Sequence, residues 1–204
     1  MTLVFAAAPG RPQLYLFRHG RTEWSASGQH TGRTDIPLTL EGEKQARTLA
    51  LRLEGLSFDH VLTSPRQRAG RTCELAGLGA AMQVEADLAE WDYGDYEGLT
   101  SAQIGARRPG WNVFRDGCPN GETPADVSDR ADRLIGRLDA MTGRIALFSH
   151  GHFSRVFAAR WLGEPVALGR HFVLGEAATN ILGYDPGHPD ERVISLWNLP
   201  PATL

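Results

Sequence analysis

Two apolar runs of strand length end on the same dipeptide. "LYLFRHGRTEW" (14–24) and "IALFSHGH" (145–152) each carry apolar residues straight into His-Gly and then a polar segment. A continuous apolar run of this length suits a strand buried on both faces. Between the two runs the chain alternates. Residues 39–56 place Leu40, Ala46, Leu49, Ala50 and Leu53 at helical spacing and stop at Gly55. "HVLT" (60–63) is a short strand. The segment 64–78 predicts a helix with Ser64 as N-cap, Pro65 at its first position and Gln67 completing a capping box. Thr100 with Gln103 opens a helix over 100–108, ended at Pro109, and Thr123 with Pro124 opens another over 123–141. A strand at 144–149, a helix at 152–162 and two closing strands, "NILGYD" and "RVISLWN", complete the chain. This alternation predicts an α/β fold, a three-layer α/β/α sandwich around a mostly parallel sheet. One domain over 1–204 is expected, with the irregular Gly- and Trp-rich segment 88–122 forming a lid or pocket wall and 1–11 fraying.

Composition removes several classes of function. A formal net charge of −3 lacks the basic excess of a nucleic-acid binder. Only Lys44 among the 21 basic residues is lysine, so an arginine beside a motif carries little weight by itself. Cys73 and Cys118 are too few for a disulfide framework and neither sits in a CxxC, which fits a reducing, cytoplasmic setting. The opening "MTLVFAAAPGR" has no basic n-region and is too short to span a bilayer, so neither a signal peptide nor a membrane partner is expected. A homodimer is compatible with the sequence, which leaves the oligomeric state open.

In open α/β sheets ligands bind beyond the carboxyl ends of the strands. His19 and His150 each lie at such an end, and Arg68 falls in the first turn of the helix after "HVLTSP". Two histidines with Arg18 and Arg68 on one rim describe a site for phosphate, and "LAEWDYGDYEG" (88–98) offers Glu90, Asp92, Asp95 and Glu97 as acids. Spacing alone does not choose among the four. A metal site is disfavoured, because no His-x-x-x-His pair is present and arginines beside a cation would repel it. An inactive binding module is a further alternative.

Arg18-His19-Gly20, followed by Thr22, Glu23 and Trp24, resembles the signature of the histidine phosphatase superfamily, the phosphoglycerate-mutase-like proteins. "TGRTDIPLTLEGEKQA" (31–46), "TSPRQRAGRT" (63–72), "LAEWDYGDYEG" and "FSHGH" resemble further family segments in the same order. The resemblance implies His19 as nucleophile, Glu90 as general acid and base, His150 as a second catalytic histidine, and Arg18, Arg68 and Ser25 as phosphate ligands. Thr31, Gly32, Tyr93, Gly151 and His152, which accompany these motifs, are expected to meet substrate. Ser25 stands where the mutases usually carry Asn, and Trp-Asp-Tyr-Gly follows Glu90 in place of Arg-His-Tyr-Gly. His30, His60, His171 and His188 are expected at the surface, His30 within reach of substrate. Trp91, Trp111 and Trp161 are expected in the core.

A neutral imidazole can attack phosphorus, and a covalent phosphohistidine divides one displacement into two. Fixed arginines meet the charge on the transferring group, and no cofactor or metal is required. The implied activity is phosphomonoester hydrolysis of small phosphorylated metabolites, sugar phosphates or glycolytic acids. The sedoheptulose-bisphosphatase-like and broad-specificity acid phosphatase branches are the nearest in motif. Phosphoglycerate mutation is the alternative, disfavoured by the short separation of Glu90 from His150 and by the missing mutase loop.

Overall fold

The structure is a computed structural model that describes residues 5–202. A six-stranded sheet runs through it in the order β3-β2-β4-β1-β5-β6, comprising β1 (Pro12–Arg18), β2 (His60–Thr63), β3 (Met82–Val84), β4 (Gly143–Ser149), β5 (Thr179–Tyr184) and β6 (Arg192–Leu199). The first four strands are mutually parallel; β5 is antiparallel to β1, and β6 to β5. The mixed α/β architecture follows the expected one, with β3 added at one edge. β3 escapes the sequence reading because it is three residues long and two of them are exposed.

Strand alternation fills both faces. Leu14, Leu16, Ile145 and Leu147 join one apolar cluster, while Tyr15, Phe17, Ala146 and Phe148 join the other. Against the first cluster pack α6 (Pro124–Asp139), with Val127, Ala131, Leu134 and Leu138 inward, and α7 (Gly151–Trp161), with Phe153, Val156 and Phe157 inward. Against the second pack α2 (Leu40–Leu53) and α3 (Gln67–Leu75). The remaining short helices are α1 (Glu23–Ser27), α4 (Ser101–Arg107) and α5 (Val113–Asp116). Trp91 and Trp161 are fully buried, as expected of core residues, and Trp111 packs against the first cluster. No helix among the described residues is long and apolar enough to cross a membrane.

The caps at Thr100 and Thr123 form as expected, each a reciprocal capping box, with Pro124 at the start of α6. Three local expectations fail. Ser64 does not cap α3: the helix begins at Gln67, with Arg66 as an N-cap that makes no side-chain bond. The Ser64 hydroxyl accepts from the Arg66 N–H and turns toward His150 instead, because tertiary partners outcompete the local cap. Leu40 is 82% exposed, since it opens α2 away from the sheet. Residues 5–11, expected to fray, are tied down: Ala8 is buried, and Arg11 bonds the Pro189 carbonyl and Asp190. Met1–Val4, the rest of that expected frayed end, lie outside the described residues.

A close backbone approach sets the strand end that matters most. A Cβ on Gly20 would lie 2.3 Å from the Gly42 carbonyl oxygen, and one on Gly42 would lie 2.1 Å from the Arg21 carbonyl oxygen. The first turn of α2 is thus pressed against the segment after β1, and the Thr39 N–H donates to Arg21 O at 2.9 Å. Gly42→Ala should lower the unfolding free energy by about 1–3 kcal/mol, the usual cost of overpacking. It should also slow turnover, because relief of the clash displaces residues 19–21. Denaturant unfolding with parallel kinetics checks this; wild-type stability in the variant would refute it.

Candidate active site

β1 and β4 pair in parallel with Arg18 opposite Ser149, so both chains leave the sheet at one level. The next residues are His19 and His150, with ring centroids 5.2 Å apart. β2 joins the same rim: Thr63 pairs with Phe148, and the Ser64 N–H donates to Phe148 O. On the other side, Arg18 N–H donates to Ala178 O and Ala177 N–H to His19 O. Ala177 holds φ +49°, a left-handed conformation costly for a non-glycine residue, at the place where it grips the His19 carbonyl.

The His19 ring is orientated by its own loop. Nδ1 lies 2.7 Å from the Gly20 carbonyl, which can only accept, so Nδ1 carries the proton. Nε2 keeps its lone pair, has no protein partner among the described residues, and belongs to a residue that lines a cavity of about 190 Å³. Burial, then the charges of Arg68 and Arg18, hold His19 well below the usual histidine range. It is therefore neutral near neutral pH.

Arg18 also lines the cavity. One terminal nitrogen donates to Leu174 O at 2.7 Å, while Nε is buried with no partner. Arg68 and His150, expected at the phosphate, are both fully buried and do not line the cavity. Arg68 donates to the carbonyls of Thr31, Gly32 and Thr34, and through Nε to His150 Nδ1 at 3.2 Å. That bond places the His150 proton on Nε2, which donates to Ser64 Oγ at 2.7 Å. Burial, followed by Arg68 and His19, depresses His150 well below the usual range. The N-terminus of α3 is not open to an anion, because Gln67 N–H donates to Asp35.

Of the four acids in 90–97, only Glu90 lines the cavity. Asp92 pairs with Arg33, Asp95 accepts from Asn120, and Glu97 accepts the N–H groups of Gly32 and Thr34. Glu90 Oε1 accepts from Trp91 N–H and Phe153 N–H, and Oε2 accepts from His152 N–H at 3.0 Å. The start of α7, which has no side-chain cap of its own, is thereby capped from the 88–122 segment. Arg130 and Glu122 brace that segment: Arg130 bonds the carbonyls of Asp87 and Ala89 and both oxygens of Glu122, whose Oε2 accepts Asp92 N–H.

The remaining expected contacts divide. Thr31, Tyr93, Gly151 and His152 line the cavity; Gly32 does not, its backbone being engaged by Glu97 and Arg68. Ser25 lines the cavity, yet its hydroxyl donates to Glu176 at 2.5 Å and so is committed to a carboxylate. His30, expected at the surface, is 7% exposed and lines the cavity, because Gln29 bridges to Thr100 and folds it inward. The sequence offers Ser64 only as a helix cap and does not single out Glu176 or Arg155. Ser64 follows a strand end just as His19 and His150 do, and Arg155 follows His152 by three positions on one helix; both were findable signals. Glu176 gave none. Cys73 and Cys118 are buried free thiols, each pushed up to about 12 chiefly by burial. Among the described residues no group of three or more His, Cys, Asp or Glu side chains could hold a metal ion.

A neutral imidazole with a bare lone pair, beside a buried guanidinium donor and a carboxylate, is equipped to displace at a compact anion. The chain belongs to the histidine phosphatase superfamily (branch 1), whose model matches residues 14–199. It is 44% identical over 192 residues to an acid phosphatase of Mycobacterium tuberculosis, covering 92% of this chain and 94% of the relative. It is 37% identical over 207 residues to a sedoheptulose 1,7-bisphosphatase of Saccharomyces cerevisiae, covering 85% and 75%. The fold superposes on a mycobacterial glucosyl-3-phosphoglycerate phosphatase solved with VO3, with a TM-score of 0.81 and 28% identity, covering 93% of this chain and 100% of that one.

His19, His30, His150 and His152 all bind protons less readily folded than the ordinary value of 6.5. Below that value the unfolded chain takes up protons that the folded one refuses, so stability is complete above it and falls with falling pH. Unfolding free energy should rise between about pH 5.5 and about pH 7, with a smaller slope in His19→Asn. Chemical denaturation across that range measures it; an equal slope in the variant would remove His19 from the account.

Proposed function

We propose that the protein hydrolyses phosphomonoesters of small metabolites, sugar phosphates or glycolytic acids, through a phosphohistidine on His19. The observation that carries the reading is the bare His19 Nε2, set by the Gly20 carbonyl, on a residue that lines the same cavity as Arg18, whose buried Nε has no partner. Nε2 attacks phosphorus; the N–P bond forms as the ester P–O bond breaks. Arg18 meets the charge on the phosphoryl oxygens. Arg68 adds fixed positive charge from behind and holds the His150 proton on Nε2. Glu90 Oε2 accepts one N–H bond against two at Oε1, so Oε2 has the free lone pair to carry the proton for the departing alkoxide. Glu90 then takes a proton from water, which attacks phosphorus and breaks the N–P bond. The names of the acid phosphatase, bisphosphatase and glucosyl-3-phosphoglycerate phosphatase relatives support hydrolysis of a compact phosphorylated substrate.

His19→Ala should abolish turnover and ³²P incorporation while leaving the fold intact. A variant that kept a tenth of wild-type kcat would overturn the assignment. Glu90→Gln should slow alkyl phosphates by about 10²-fold or more, the range for a lost general acid. Phosphoryl transfer from p-nitrophenyl phosphate should suffer less, since that leaving group needs little protonation. Burst measurements of nitrophenolate release read this step directly, and equal slowing of both ester types would exclude Glu90 as the acid.

A further inference from the structure

Beyond His19 the cavity wall carries two more imidazoles, His30 and His152, stacked with an interplanar angle of 3° and centroids 5.7 Å apart. Their ring nitrogens are polar in a defined sense. His30 Nδ1 lies 2.7 Å from the Leu99 carbonyl, which only accepts, so Nδ1 holds the proton and Nε2 is a bare acceptor. His152 Nδ1 lies 2.6 Å from the Tyr93 hydroxyl. That separation suits an O–H donor better than an N–H donor, so the phenol donates and the His152 proton sits on Nε2. Neither Nε2 has a protein partner among the described residues.

The two rings cannot readily turn. Tyr93 and Trp111 stand edge-on to His30, and Phe114 stands edge-on to His152. Burial holds both histidines below the usual range, so the acceptor and the donor persist at neutral pH. Arg155, the charged neighbour on α7, spends Nε and one terminal nitrogen on the carbonyls of Gly169 and Arg170.

We propose that His30 and His152 form a donor–acceptor pair that reads hydroxyl groups on the leaving group, making a polyol or sugar phosphate the preferred substrate. The proposal rests on the phosphatase reading above and selects within it. A hydroxyl can give its proton to His30 Nε2 and accept from His152 Nε2–H; adjacent hydroxyls can do each separately. A carboxylate has no proton to give, and over His30 it would meet a lone pair. A bare alkyl chain would leave both nitrogens unpaired on a desolvated wall.

The test compares kcat/KM for three esters of similar size: glycerol 1-phosphate, propyl phosphate and phosphoglycolate, in wild type, His30→Phe, His30→Gln and His152→Gln. Wild type should favour the glycerol ester over the propyl ester by about tenfold, the worth of a net hydrogen bond. His30→Phe should collapse that ratio, mainly through KM, and His30→Gln, whose amide oxygen also accepts, should restore part of it. His152→Gln, whose amide N–H can donate, should keep more of the ratio than His30→Phe. Thermal unfolding of each variant confirms folding. A ratio near one in wild type, a ratio untouched by His30→Phe, or preference for phosphoglycolate would overturn the proposal. Wild-type protein inert toward all three esters and p-nitrophenyl phosphate would instead overturn the phosphatase reading itself.

Discussion

The parallel ladder between β1 and β4 brings Arg18 level with Ser149, and the chain leaves both strands on a histidine. Everything at the site is referred to that register. A shift of one residue would exchange the faces of every side chain in β1, exposing Leu14 and Leu16 to the wrong cluster. The apolar pattern therefore fixes the register, and the register fixes the 5.2 Å approach of the two rings. Backbone bonds from β5's approach segment and the close contact of Gly20 with Gly42 then immobilise the exit of β1 from both sides. The core specifies the site's geometry before any catalytic side chain contributes.

A buried cation must be satisfied or it destabilises the fold. Arg68 meets that requirement with the carbonyls of residues 31, 32 and 34 and with His150 Nδ1. Two consequences follow from the same bonds. The loop that carries Thr31 into the cavity is anchored to α3, and His150 is held in one tautomer. The positive charge is also felt at His19, where it adds to burial in keeping the imidazole unprotonated. One side chain thus serves packing, loop placement and electrostatics, which is why its role cannot be reduced to a contact with a ligand.

Much of this was legible. Apolar runs ending on His-Gly, helical periodicity and the capping signals located most of the sheet, five of the helices and the strand ends near which His19, His150 and Arg68 lie. Strand direction was not legible: "NILGYD" reads the same whether β5 runs parallel or antiparallel to β1. Ser64 shows a second limit. A Ser-Pro-x-Gln string has the chemistry of a helix cap, yet β2 and β4 end side by side, the same hydroxyl lies 2.7 Å from His150 Nε2, and the buried imidazole claims it. Choosing Glu90 over its acidic neighbours needed the family resemblance, because the partners of Asp92, Asp95 and Glu97 are distant in sequence. Glu176 was invisible for an opposite reason. A carboxylate beside an expected phosphate site looks unfavourable until Arg21 and Ser25 are seen to hold it.

Arg18 contrasts with Arg68 in a way that bears on binding. Its terminal nitrogen is fixed by Leu174 O, so the guanidinium plane is set, yet its Nε is buried without a partner. Such an unpaired donor costs about 1–3 kcal/mol in the free protein. An anionic oxygen placed against it removes that cost and adds a charge-assisted bond, without rotation of the side chain. The same donor gives nothing to an alkyl group and repels a cation. The fold carries this small instability at a guanidinium in the wall of the His19 cavity, and an anionic group bound against it would relieve the instability.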